Sequence, residues 1–152
     1  MLKPNKFFNI GCLLLLFLLN SCSKNPEPIV YGDDNCEYCK MLITNPAYGT
    51  ELVTDKGKIY KYDSIECLAA YSAESNKEEI ASLWVTDFGN PGNLINLDSA
   101  LFLRSEKLRS PMGLNLTAFS DEKTLQDIIS KHSGERITWD EIAEYVREEW
   151  DE

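Results

Sequence analysis

Basic charge and histidine are in short supply in this 152-residue chain: there are 15 Lys and Arg against 25 Asp and Glu, and a single histidine, His132. The shortage of positive charge excludes nucleic acid as a natural partner, because affinity for the phosphate backbone is dominated by Lys and Arg. No Ser/His/Asp arrangement, phosphate-cradling Gly loop or paired-carboxylate site can be drawn, so any catalytic role would rest on thiols alone. Apolar runs are also short. The longest, Ile10 to Leu19, is ten residues, well below the ~20 that a membrane span needs.

That run belongs to a leader. Lys3 and Lys6 supply a positive start, and the run ends in Leu19-Asn20-Ser21-Cys22, which resembles a bacterial lipobox with Cys22 as the acylated first residue of the mature protein. Residues 1–21 are expected to be removed. The mature chain then carries 13 basic and 25 acidic side chains, a net charge of −12. Two or three acyl chains on Cys22 would hold the protein to a membrane facing an extracytoplasmic, periplasmic space. Ser23 is not the Asp that signals inner-membrane retention, so the outer membrane is the expected destination. Residues 22–33, with Pro26 and Pro28, read as a flexible tether.

Sulfur is scarce after the leader and concentrated in Cys36-Glu37-Tyr38-Cys39-Lys40-Met41. The further sulfurs are Cys67 and Met112. Three thiols in an oxidising space leave at least one unpaired, a liability unless it is buried or metal-bound. Thiolate with thioether is the ligand set of a soft ion such as Cu(I). Two alternatives stay open. One is a thiol–disulfide oxidoreductase using Cys36 and Cys39. The other is a zinc-stabilised adaptor domain, which would need Cys36, Cys39, Cys67 and His132 together. Cys67 itself reads as a small hydrophobe on a buried helix face, and His132 as a cation at a helix C-terminus. The turn Ser110-Pro111-Met112-Gly113 is expected to expose Met112.

The pattern predicts an α+β fold. Strands are expected at Met41–Ile43, Thr50–Thr54, Ile59–Tyr62, Leu83–Phe88, Ala100–Arg104, Leu116–Phe119 and Arg136–Thr138, with a hairpin turn at Asp55-Lys56-Gly57-Lys58. Helices are expected from an Asp63/Glu66 capping box to Ser75, from a Ser120 cap to His132 with Gly134 as the stop, and from a Thr138/Glu141 capping box onward. That last helix, with Asp140, Glu141, Glu144, Glu148 and Glu149, reads as a solvated acidic face. The chain divides into two small related ββαβ-like halves, residues 34–92 and 93–152, in which Glu51–Asp55 is matched with Leu116–Ser120.

Tyr38-Cys39-Lys40-Met41, with Ser110-Pro111-Met112-Gly113 and Ala118-Phe119 further on, resembles the NosL family of Cu(I)-binding lipoproteins that serve nitrous oxide reductase. The resemblance covers most of the mature chain. It implies a non-enzymatic metallochaperone with Cu(I) on Cys39 and Met41, Met112 as a third sulfur, Cys36 as an optional ligand, and nitrous oxide reductase or its assembly proteins as partner. Relatives commonly carry Gly where this chain has Lys40. Cys22 lies fourteen residues before Cys36, so the metal site is expected close to the tether.

Overall fold

The computed structural model describes residues 24–74 and 80–150; the leader, Cys22 and Ser75 lie outside them. The elements are β1 (Thr50–Thr54), β2 (Ile59–Tyr62), α1 (Ile65–Glu74), β3 (Ile80–Thr86), β4 (Leu94–Asn96), a 3₁₀ turn (Leu97–Ser99), β5 (Leu101–Arg104), β6 (Leu116–Phe119), α2 (Glu122–His132), β7 (Glu135–Ile137) and α3 (Trp139–Trp150). Two antiparallel sheets form, ordered β2-β1-β3-β4 and β6-β5-β7. The α+β reading with two ββαβ units holds. In each unit the first strand is central, flanked by the second and third, and the helix follows the second strand.

This topology corrects the matching of the halves. Leu116–Phe119 is an outer strand ahead of a helix, so its counterpart is Ile59–Tyr62, and Glu51 lies on a strand equivalent to Leu101–Arg104. β4 was not expected. It hydrogen-bonds to β3 and so extends the first sheet beyond residue 92. Met41–Ile43 is not a strand: only a single bridge, Asn35 to Leu42, forms there.

Period-2 alternation explains how the halves combine. Paired residues share a face. Leu52, Tyr62 and Val85 of the first sheet, and Phe102, Leu116 and Ala118 of the second, bury into one core with Ile65, Leu68 and Ala69 of α1 and Ile142 and Val146 of α3. The other face of the second sheet buries Leu103 and Phe119 against Leu125 of α2. Each buried Leu, Ile, Val or Phe among them contributes roughly 1.5–3 kcal/mol of transfer free energy. Asp87 ties the sheets together: it forms a parallel bridge with Ala118 and accepts from Ser120 Oγ at 2.6 Å.

That bond displaces one expected cap. With Ser120 turned to Asp87, Asp121 caps α2, accepting from Thr124 N at 2.9 Å. At the other end Ser133 is the C-cap and Gly134 follows at φ +144°, where a Cβ would meet Arg104 O at 2.8 Å. The Thr138/Glu141 capping box forms as expected, with Thr138 N donating to Glu141 Oε2 at 2.8 Å and Glu141 N to Thr138 Oγ1 at 3.3 Å.

The segment expected as a flexible tether is docked from Lys24 to Ile29 on the first sheet. Every residue of β1 is buried, the odd and the even alike. One face of this central strand is covered by α1 and the other by the N-terminal segment, through Ser82 Oγ to Lys24 O (2.8 Å), Glu27 N to Glu51 Oε2 (2.9 Å) and Lys61 Nζ to Pro28 O (3.1 Å). Proline-rich composition signalled the absence of helix or strand, but polar partners on the sheet hold the segment nonetheless.

Candidate metal centre

The sulfur loop is a tight turn closed on itself. Cys36 N donates to Met41 O at 2.8 Å, and Lys40 N to Cys36 O at 3.0 Å. Closing it forces Lys40 into the left-handed region at φ +62°, a conformation natural to glycine. The loop sits on the end of β2, through Glu37 N to Lys61 O at 2.8 Å and an Asp34–Lys61 ion pair at 2.7 Å. Tyr38 reaches the far end of α3 and stacks on Trp150, centroids 5.7 Å apart.

β2 then runs directly into α1, which places Cys67 in the first turn of that helix beside the loop. The Sγ atoms of Cys36, Cys39 and Cys67 all lie within 4.8 Å of one another. An ion about 2.3 Å from each sulfur would set them ~4 Å apart, so small movements suffice to close the site. Cys36 is 1% exposed and Cys67 0%, whereas Cys39 is half-buried and marks the open side. All three are free thiols.

The electrostatics divide the thiols. A hydrogen bond from Cys67, then backbone N–H groups of Cys39 and Asp63, hold the Cys36 thiol well below the ordinary range despite burial. Cys67 is pushed the other way, by donating to Cys36 and by burial. Cys39 is raised, chiefly by burial. Cys36 is thus the member of the cluster most readily converted to a thiolate. The N-terminus of α1, with its unpaired N–H groups, adds a positive field that suits such an anion.

Around it several buried side-chain oxygens have no protein partner. Tyr62 Oη, Asp63 Oδ1, Ser64 Oγ and Glu66 Oε2 are buried without a partner, all within the segment that leads to Cys67. Such atoms are rare in native folds. Burial first, then the Cys36 charge, pushes the Asp63 carboxyl up to about 6. The expected Asp63/Glu66 capping box does not form. Glu66 instead accepts a hydrogen bond from Ser110 Oγ, which itself accepts from Asn115 N at 2.9 Å.

This bond brings in the second methionine. Ser110 and Gly113 close a turn around Met112 (Gly113 N to Ser110 O, 3.2 Å), and Glu66 adjoins Cys67, so the Met112 loop is seated on the turn of α1 that carries the third thiol. Met112 is half-buried against the main core, not exposed as the turn sequence suggested. Met41 is 47% exposed at the rim of the loop. His132 lies at the end of α2, outside the cluster, in a shallow cavity with Arg104 and Lys107.

Cys36, treated as optional on sequence grounds, is the most acidic member of the cluster, and Cys67, read as a small hydrophobe, is its third thiol. The signal for Cys67 was present: it follows a helix start that directly succeeds a strand, and an odd number of thiols needed a home for one more.

The NosL family model matches residues 29–146. The chain is 27% identical to the copper-binding lipoprotein NosL of Stutzerimonas stutzeri, over 90% of this chain and 80% of that protein. In three dimensions it is similar to the crystal structure of the copper chaperone NosL from Shewanella denitrificans, with a TM-score of 0.67 and 23% identity over 78% of this chain and 96% of that one. The family match spans the sulfur loop, α1 and the Met112 turn, and the chain belongs to the NosL family.

Proposed function

We propose that this protein is a lipid-anchored Cu(I) carrier on an extracytoplasmic membrane face, which delivers copper for the maturation of nitrous oxide reductase and is not an enzyme. The observation that carries the reading is the convergence of three free thiols within 4.8 Å, on an open edge that also bears Met41. Three soft sulfurs with thioethers at hand suit a monovalent soft ion in low coordination. A structural zinc site would want a fourth nitrogen or sulfur ligand, and His132 is not among the clustered groups. Carboxylates close by, Asp63 and Glu66, are hard ligands.

The copper ion is cargo. Cys36, the thiol held lowest, is the first ligand; Cys39, on the open side, is the natural point of entry and exit; Cys67 completes the thiol set; Met41 and Met112 supply thioethers. Binding displaces thiol protons, so the outgoing ion is replaced by protons at release. Anchoring through Cys22 and delivery to a partner are supported by the names of the relatives, one a lipoprotein and the other a chaperone.

An anaerobic Cu(I) titration against a chromogenic chelator tests the site. About one Cu(I) per chain is expected, with tight binding lost in Cys39→Ser and weakened in Met41→Leu and Met112→Leu. A Cys39→Ser protein that holds Cu(I) as tightly as the parent would sink the reading. In cells, loss of the gene should leave nitrous oxide reductase short of copper while its polypeptide accumulates.

A further inference from the structure

Residues 24–29 cross the first sheet on the face opposite α1, and their contacts have a direction. Lys24 lies at the β1–β2 turn, with Nζ 3.5 Å from Asp55 and its carbonyl bonded by Ser82 Oγ. Glu27 lies over Glu51, which is fully buried. Ile29, 9% exposed, lies at Gly49, where a Cβ would meet its Cδ1 at 2.7 Å. The segment therefore runs antiparallel to β1, from the Asp55 turn to the opposite end of the sheet. At that opposite end β2 leads into α1 and the three thiols gather.

We propose that this strap fixes which end of the protein meets the membrane: the β1–β2 turn faces the lipid surface, and the thiol cluster is displayed at the end away from it. The inference rests on acylation of Cys22. Only two residues of chain advance separate Cys22 from Lys24, a reach of at most about 7 Å. The strap then spans β1, so the thiols stand roughly 15–20 Å further out than the anchoring point. A free tether of the same length would let the domain tumble and bring the sulfur loop to the bilayer. A docked one does not. The acceptor must accordingly present its receiving sulfurs or nitrogens a strand length or more above the membrane, not at the headgroups.

The test uses the full-length acylated protein in phosphatidylcholine–phosphatidylglycerol vesicles containing a headgroup-nitroxide lipid. An azide-bearing amino acid at Lys56, on the turn, or at Glu37, in the sulfur loop, takes a fluorophore without touching the thiols. The label at position 56 should lose most of its emission and the label at 37 should keep it. Releasing the strap with Lys24→Ala, Ile29→Ser and Ser82→Ala together should bring the two labels to similar quenching. Hydrogen exchange on the vesicle-bound parent gives an independent reading, with the Glu27 amide protected. Equal quenching at 56 and 37 in vesicle-bound parent protein, an unprotected Glu27 amide, or a contrast that survives strap release would each overturn the orientation. A protein that does not float with the vesicles would instead remove the acylation reading beneath it.

Discussion

Cys67, on the first turn of α1, brings its Sγ within 4.8 Å of that of Cys36 at the start of the sulfur loop. Two segments far apart in the chain thereby meet, and the buried pair is the deepest part of the proposed copper site.

Cys67→Ser should accordingly lower Cu(I) affinity by at least about tenfold, or ~1.4 kcal/mol. The comparison that checks it is chelator competition beside a thermal melt of the metal-free protein, so that a folding loss is separated from a binding loss. Unchanged affinity would remove Cys67 from the ligand set. In the parent, about one to two protons should leave per Cu(I) bound, from Cys39 and Cys67, and affinity should weaken as pH falls. Calorimetry in buffers of different ionisation enthalpy reads the proton count.

Ser110→Ala would leave Glu66, which is fully buried and already has one unpaired carboxylate oxygen, with its remaining partner gone. A loss of about 1–3 kcal/mol in unfolding free energy is expected. Cu(I) affinity should fall with it, because the Met112 loop is seated on this bond. Glu66→Gln, which keeps an acceptor for Ser110, should do less damage on both counts. Denaturant titration and chelator competition on the two variants would show whether stability and affinity move together.

Lys40→Gly should stabilise the protein. The backbone at φ +62° is strained for lysine and relaxed for glycine, and the Glu37 ion pair lost with the side chain is exposed. Left-handed strain of ~1–2 kcal/mol is offset in part by the greater freedom of glycine in the unfolded chain, leaving a gain of ~0.5–1 kcal/mol. A lower melting temperature in Lys40→Gly would contradict this account of the loop.

Glu51 sets a pH signature. Burial beneath the strap pushes its carboxyl up to about 7 from an ordinary 4.5. The folded chain therefore holds a proton that the unfolded chain gives up between those values. Its contribution to stability is greatest below the ordinary carboxylate range and is lost as pH rises through about 7, a change on the order of 3 kcal/mol. Cys36, with its lowered thiol, slopes the opposite way, so the informative quantity is the difference between parent and Glu51→Gln. That difference should grow from pH 4.5 to 7 in favour of the variant. A flat difference would mean that Glu51 is not desolvated by the strap.

Much of the fold was legible because its signals are local. Thr50–Thr54 and Ile59–Tyr62 are short runs on either side of an Asp-Lys-Gly-Lys turn, and Thr138 with Glu141 forms a capping box from residues three apart. Where a side chain had two possible partners, local pattern failed. Ser120 could cap α2 but bonds Asp87, and Glu66 could return to Asp63 but holds Ser110. Leu94–Asn96 is too short to show a period, and only its pairing with β3 makes it a strand.

Residue type and spacing alone determined that soft sulfur side chains are gathered in one short loop, Cys36 to Met41, and that two ββαβ units would form, because ligand softness and hydrophobic period are properties of neighbouring residues. Only the tertiary structure decided that Cys67 joins the thiols, that Met112 is held beside their helix, and that the expected free tether is a strap across β1. Those three facts depend on which surfaces meet when the two sheets and α1 close on a common core. Burial then rewards contacts between residues that no local pattern connects.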